Sequence, residues 1–170
     1  IALTKQGMGY PDSEAFFVDD TVYDFFSSAM DRGRTAHGRW KERFESAGPG
    51  IRQQWSDLHS AERISLEGPG FEVGEKLASR ASSGKLFGEM AEKSPGFIGG
   101  AADLAGSTKT LIDFDRLFSS TNPTGRDIPF GIREHAMGAL VNGMAVHGGL
   151  KPYGATFFVF SDYMRPAVRL

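Results

Sequence analysis

The spacing of apolar and aromatic residues divides the chain into two unlike halves. In the first half one series recurs at helical intervals: Tyr23, Phe26, Met30, His37, Trp40 and Phe44. Side chains at such intervals share one face of a helix, so the series predicts an amphipathic helix over residues 22–44. We place its N-cap at Asp20-Thr21 and its end at Gly48-Pro49-Gly50. A second, more polar helix is predicted over residues 51–63.

In the second half, short apolar runs alternate with helical segments. Strands are predicted at residues 97–101, 128–132 and 153–157. Helices are predicted within residues 71–90, over residues 134–148 and from Ser161 onward. Alternating short strands and helices are typical of an α/β fold, a parallel sheet with helices on both faces. Here a helical linker precedes it.

Several chemically useful side chains follow the predicted strands. In parallel sheets, ligands bind beyond the carboxyl ends of the strands. The residues at or just past those ends are Asp103, Ser107, Glu134, Phe157 and Phe160. The fold prediction therefore places them along one rim of the sheet.

Glu134 opens a predicted helix directly after a predicted strand. A carboxylate there complements the helix dipole, worth about 0.3–1 kcal/mol, and on pattern alone this is the commoner reason for an acid in the first turn. The alternative is a partly buried carboxyl group that hydrogen-bonds a ligand nitrogen. The neighbouring His135 is assigned a surface or interface position and no catalytic role.

The other candidates are equally open when each is taken alone. Phe157, Phe160 and Tyr163 recur every three residues, as in an aromatic stripe facing a core or a pocket for a flat heteroaromatic ring. Arg80 and Ser107 are either ordinary surface residues or phosphate ligands, because a guanidinium and a hydroxyl both suit a phosphate.

Composition narrows the classes of partner. Lysine and arginine number 19 against 21 acids, a net charge of -2, which gives no electrostatic reason to expect nucleic acid or an anionic membrane. The chain has no cysteine, which excludes disulfides and thiolate metal sites and fits a cytoplasmic protein. The histidines have no metal-ligand spacing relative to one another, so no metal site is predicted.

Three motifs follow one another in the second half: Gly99-Gly100-Ala101-Ala102-Asp103-Leu104, Gly131-Ile132-Arg133-Glu134-His135-Ala136-Met137-Gly138 and Lys151-Pro152-Tyr153-Gly154-Ala155-Thr156-Phe157. In this order and spacing they resemble the start of the transketolase pyrimidine-binding domain. The resemblance is strong after residue 77 and looser before it. It implies that residues 1–70 are the tail of a preceding domain with a helical connector, and that residues 71–170 are the truncated first part of the pyrimidine-binding domain. The chain lacks an initiating Met and ends within a helical pattern, so we expect both ends to be cut.

The resemblance implies a function. Transketolases of the pentose phosphate pathway transfer a two-carbon ketol unit from a ketose phosphate to an aldose phosphate, using thiamine diphosphate. Glu134 matches the catalytic glutamate that hydrogen-bonds the cofactor's aminopyrimidine ring. The aromatic pocket around that ring matches Phe157, Phe160 and Tyr163. The residues that hold the substrate phosphate match Arg80 and Ser107. Asp103 matches an aspartate near the cofactor, without a catalytic role.

The sequence also departs from the family. Family members carry an earlier Gly-Asp-Gly…Asn stretch, which binds the diphosphate and a divalent metal, Mg or Ca, and several histidines along the substrate channel. This sequence contains none of these, nor the later residues that complete the phosphate site. Because the site of a transketolase forms between the two subunits of a homodimer, the segment is predicted to be inactive alone. Gly106 stands where the family more often has proline, so the loop shape before Ser107 is left open.

Two other interpretations remain. One is another thiamine diphosphate enzyme. Deoxyxylulose phosphate synthases and dehydrogenase β subunits usually have glutamine where His135 stands here, whereas dihydroxyacetone synthase is not distinguished. The other is a non-catalytic dimerisation or interaction module. The joint presence of Glu134, Arg80 and Ser107 argues against a module, because a scaffold needs none of them.

Overall fold

The computed structural model describes residues 1–10, 15–60, 65–68, 70–112 and 117–170, and the chain forms two compact units, Ile1–Arg52 and Gln53–Leu170. The helices and strands in chain order are α1 (Ala2–Gly7), α2 (Asp20–Ser46), α3 (Pro49–His59), α4 (Ser79–Lys93), β1 (Phe97–Ala101), α5 (Ala105–Thr108), α6 (Glu134–His147), β2 (Lys151–Ala155), a 3₁₀ helix (Phe158–Phe160) and α7 (Ser161–Arg169). No helix in these described ranges is long and apolar enough to cross a membrane.

The predicted first helix is confirmed as α2, with its cap moved by one residue. Asp19 is the N-cap, because its backbone is still extended and its Oδ1 accepts a hydrogen bond from the Thr21 N–H at 2.9 Å. The last three residues of the predicted series form a stacked row, in which the ring centroids of His37 and Trp40 lie 5.8 Å apart and those of Trp40 and Phe44 lie 5.3 Å apart. The second predicted helix is observed as α3, and its predicted end at residues 61–63 lies outside the described residues.

The sheet described here consists of two parallel strands. β1 pairs with β2 in a register that runs from Phe97 opposite Lys151 to Ala101 opposite Ala155. The carboxyl ends of both strands therefore meet at one edge, as predicted. β2 corresponds to the strand predicted at residues 153–157, and it begins and ends two residues earlier than predicted.

The prediction of a strand at residues 128–132 is wrong, because only an isolated bridge forms next to this segment. Asp127 forms an isolated parallel bridge with Gly99, and the Ile128 N–H donates to the Gly99 carbonyl at 2.6 Å, but the pairing goes no further. Pro129 has no N–H to continue a ladder. Gly131 has φ +69, a left-handed conformation that ends any extended run.

The region around α4 also differs from its prediction. The helix begins at Ser79 rather than near residue 71, and Gly74, with φ +89, interrupts the chain before it. The four-residue helix α5 was not predicted, because a single helical turn is too short to show a periodic pattern. Residues 113–116 of the predicted loop at 111–126 lie outside the described residues.

Helices cover both faces of the sheet, as predicted. Successive residues of a strand point to opposite faces. The Tyr153 ring contacts Phe87 of α4, with centroids 4.8 Å apart. Its neighbour Gly154 faces α6, where a Cβ would lie 3.1 Å from Met137 Cγ. Thus α4 and α6 pack on opposite sides.

The core on the α6 side fixes the start of that helix. Met137 is 0% exposed and forms a buried cluster with Ala102 and Phe130. On its other side α6 approaches α7 closely, because a Cβ at Gly138 would lie 2.9 Å from Ala167 Cβ. The first turn of α6 is therefore held between the sheet and α7.

Candidate functional site

Glu134 begins α6 at a sharp bend. Gly131 takes the left-handed conformation that turns the chain, and Arg133 Nη1 donates to the Phe130 carbonyl at 3.0 Å. The Arg133 carbonyl then accepts the first helical hydrogen bond, from the Met137 N–H at 2.8 Å. These local contacts bring Glu134 beside the residues that follow β1.

The Glu134 side chain is buried against the end of β2. It is 8% exposed. The Thr156 hydroxyl, one residue past β2, donates to Glu134 Oε1 at 3.3 Å. This burial supports the second sequence alternative, a carboxyl group directed at a ligand, because an acid that only complements a helix dipole has no need to leave solvent.

A cavity of about 710 Å³ lies at this edge of the sheet. Its walls come from the segment after β1, the start of α6 and the aromatic turn into α7, and include Asp103, Glu134, His135, Phe160 and Tyr163. Asp103 adopts φ +62, a left-handed conformation that aspartate tolerates better than most residues. The cavity thus combines one buried carboxylate with aromatic walls.

The three predicted aromatic residues form a continuous row. The ring centroids of Phe157 and Phe160 are 6.1 Å apart, and those of Phe160 and Tyr163 are 6.3 Å apart. The 3₁₀ helix before α7 produces this contact, because its three-residue period brings residues three apart onto one side. Phe160 and Tyr163 line the cavity, whereas Phe157 meets the row through Phe160 and is not part of the lining.

Arg80 and Ser107 lie away from this cavity. Arg80 is exposed in the first turn of α4, and Ser107 is exposed in α5. The two helices meet one turn after Arg80, where a Cβ at Gly84 would lie 2.8 Å from Lys109 Cβ. Both side chains are therefore accessible to a ligand, and the elements that carry them are in contact.

Sequence reasoning missed a buried polar cluster under α5. Asp127 is 2% exposed and Thr110 is 4% exposed, and both contact the Tyr153 hydroxyl. Burial and the adjacent charge of Asp127 raise the pKa of Tyr153 well above its usual range. No spacing signal marks these residues, because their contacts join distant parts of the chain.

The part of the chain that the structure describes contains no group of three or more histidine, aspartate or glutamate residues placed to hold a metal ion.

Comparison with known proteins places this arrangement in one family. Residues 75–170 match the model of the transketolase pyrimidine-binding domain. A transketolase of Bacillus subtilis is 41% identical over 179 aligned residues, which cover 99% of this chain and 26% of the relative. The chain thus spans about a quarter of the length of the curated relatives it matches.

Solved structures agree with this assignment. The transketolase from Campylobacter jejuni matches with a TM-score of 0.77 and 34% identity, over 97% of this chain and 25% of that one. The transketolase from Pichia stipitis, solved in complex with sedoheptulose 7-phosphate, matches with a TM-score of 0.79 and 29% identity, over 97% of this chain and 26% of that one.

Proposed function

This chain belongs to the transketolase family, and from that membership we propose that it holds the aminopyrimidine ring of thiamine diphosphate within a longer transketolase. The observation that carries the proposal is the buried Glu134 carboxylate in the wall of a cavity that also presents Phe160 and Tyr163. The domain boundary that the sequence predicts, with the tail of a preceding domain and its connector in residues 1–70 and the pyrimidine-binding domain from residue 71, stays a prediction.

The residues present suit the aminopyrimidine half of the cofactor. A flat ring with nitrogen acceptors and donors needs aromatic or apolar walls and one group that exchanges hydrogen bonds with its edge. Glu134 and the two rings provide that combination. The Thr156 hydroxyl restrains Oε1, and we assign Oε2 to the ring nitrogen. Phe157 supports the pocket by packing on Phe160.

The reaction we propose is transfer of a two-carbon ketol unit from a ketose phosphate to an aldose phosphate. When bound, thiamine diphosphate supplies stabilisation of the carbanion. This chain contributes the carboxyl group that holds a proton at the ring edge, the rings that exclude water, and part of the phosphate site. The solved complex of the Pichia stipitis relative with a sugar phosphate supports this substrate class.

The remaining parts of the proposal concern the whole enzyme. We infer a homodimer in the cytoplasm whose diphosphate-binding residues and divalent metal, Mg or Ca, lie in sequence beyond this segment. The segment alone is then inactive, because it carries only one half of the cofactor site.

Arg80 and Ser107 are assigned to the substrate phosphate. In the full-length enzyme, Arg80→Ala is expected to raise the KM for phosphorylated sugars about ten-fold, because hydrogen bonds to charged groups are among the stronger ones. Steady-state kinetics with phosphorylated and unphosphorylated acceptors measure this. Arg34→Ala, which removes an exposed arginine paired with Asp31, is the control and should change nothing. An equal loss with unphosphorylated acceptors would exclude a phosphate contact.

The size of the native protein tests the proposal as a whole. An immunoblot of the source against this segment should show a band several times larger than 18.5 kDa. Such a band places the missing half of the cofactor site in the same chain. A band at 18.5 kDa would favour the non-catalytic interaction module or an enzyme split over two chains.

A further inference from the structure

Asp127 is a buried carboxylate that the proposed cofactor site does not use. Its backbone is fixed beside β1, since the Ile128 N–H donates to the Gly99 carbonyl at 2.6 Å and the Phe118 N–H donates to the Asp127 carbonyl at 2.8 Å. Burying an ionised carboxylate is costly unless hydrogen bonds compensate it. The groups that donate to Asp127 therefore indicate what it holds in place.

Among the residues that the structure describes, the Ile112 N–H and the Tyr153 hydroxyl both donate to the Asp127 carboxylate. The Ile112 N–H lies 2.9 Å from Oδ1 and 3.1 Å from Oδ2. The Tyr153 hydroxyl lies 3.2 Å from Oδ1 and 2.8 Å from the Thr110 carbonyl. Burial and the Asp127 charge raise the pKa of Tyr153 above its already alkaline ordinary value, so its hydroxyl is a donor. The Asp127 carboxylate thus links the Ile112 amide to Tyr153 of β2, and the Tyr153 hydroxyl shares its proton between Asp127 and the Thr110 carbonyl.

This contact holds the far end of the Ser107 loop, which we define as residues 104–112. Thr108 Oγ1 lies 3.0 Å from the Leu104 carbonyl and 2.8 Å from Thr110 Oγ1. The Ser107 N–H donates to the Leu104 carbonyl at 2.9 Å. These bonds lie within the loop. Its first end follows Ala102, whose N–H donates to the Ala155 carbonyl of β2 at 3.1 Å, and its other end is held by Asp127, so the exposed Ser107 side chain lies between two attachments to the sheet.

We propose that Asp127 is a positioning residue that fixes the Ser107 loop and so sets the affinity for the phosphate end of the substrate. The inference rests on the phosphate role proposed for Ser107. A hydroxyl on a loosened loop must be ordered each time a phosphate binds, and that lost freedom weakens binding.

The effect is expected to be selective for the phosphate. Ile128 packs on the cluster around Met137 under α6, whereas the Asp127 carboxylate meets Tyr153 on the α4 side. Neighbouring residues in extended chain face opposite sides of a sheet. Removal of the Asp127 carboxylate is therefore expected to loosen the Ser107 loop and to leave α6, which carries Glu134, in place.

The test is made in the full-length enzyme. Asp127→Ala is expected to raise the KM for a phosphorylated acceptor about ten-fold, because it removes hydrogen bonds to a charged group. The kcat, the KM for an unphosphorylated acceptor and the dissociation constant of thiamine diphosphate should stay unchanged. Asp127→Asn keeps an acceptor oxygen and should restore most of the affinity. Hydrogen exchange at the Ile112 amide should accelerate in Asp127→Ala and should not accelerate in Asp127→Asn.

Two further variants are needed to interpret the result. Asp31→Ala, at an exposed aspartate, is the matched control and should change none of these values. Tyr153→Phe removes one hydroxyl donor and leaves the Ile112 N–H on Asp127, so it should raise the same KM less, about three-fold. This variant carries the test if Asp127→Ala does not fold, and an unchanged KM in it would then overturn the inference.

Ser107→Ala separates this inference from the proposed function. If Ser107→Ala raises the KM for phosphorylated acceptors and Asp127→Ala does not, the positioning role is wrong and the phosphate assignment stands. If Ser107→Ala has no effect, both fail. A rise in Asp127→Ala that is equal for phosphorylated and unphosphorylated acceptors, or accompanied by weaker cofactor binding, also overturns the positioning role.

Discussion

Replacing Glu134 by glutamine is expected to lower the kcat of the full-length enzyme by about 10²–10⁴, the range that proton transfer by a positioned side chain contributes. Glutamine has the same shape, and its carbonyl can still accept from the Thr156 hydroxyl. Its amide cannot hold or release a proton at the ring edge. The measurement is kcat at saturating sugar phosphates and saturating thiamine diphosphate, with far-ultraviolet circular dichroism to follow the fold.

The control is a glutamate with no place in the site. Glu92 is exposed on α4, and Glu92→Gln should leave kcat unchanged. Near-normal turnover in Glu134→Gln would remove the catalytic assignment. A loss of turnover together with a loss of helical signal would instead assign the effect to folding.

Replacing Met137 by alanine is expected to destabilise the protein by about 2–5 kcal/mol, as truncation of buried large side chains does. Met137 is 0% exposed, and its Cγ would lie 3.1 Å from a Cβ at Gly154. Met137 therefore packs directly on the Gly154 backbone, and Gly154 has no side chain that could move into the void. The free energy of unfolding is measured by urea titration.

Leu140→Ala provides a matched comparison on the same helix. Leu140 is 54% exposed, so its truncation removes far less buried surface. We expect Leu140→Ala to destabilise the protein much less than Met137→Ala, and equal losses would mean that Met137 is not a core anchor.

Because Met137 holds the first turn of α6, Met137→Ala should also weaken cofactor binding by displacing Glu134.

Local patterns were enough to find most of the helices and one of the strands. The helices α2, α3, α6 and α7 and the strand β1 were each predicted near their observed positions. Their signals are spacings within one element, which depend only on the chain itself. The three motifs of the second half, taken in their order and spacing, indicated the family, which is confirmed by the match of residues 75–170.

Other predictions failed where a single residue overrides the pattern. Ile128 and Phe130 are apolar and predicted a strand, but Pro129 cannot donate to a ladder and Gly131 turns the chain. Asp19 caps α2 in place of Asp20 because its backbone is the last extended one. Such effects depend on backbone angles that hydrophobic spacing does not encode.

The sequence by itself determined the fold class, most of the elements and the family. Only the tertiary structure placed Glu134 in a buried wall beside Phe160 and left Phe157 outside it. It also joined Asp127 to Tyr153. The reason is physical: periodicity fixes which face of an element is apolar, whereas burial and polar pairing arise from contacts between residues far apart in the chain. The hydroxyl that restrains Glu134 comes from Thr156, on the far side of the helix and strand that intervene.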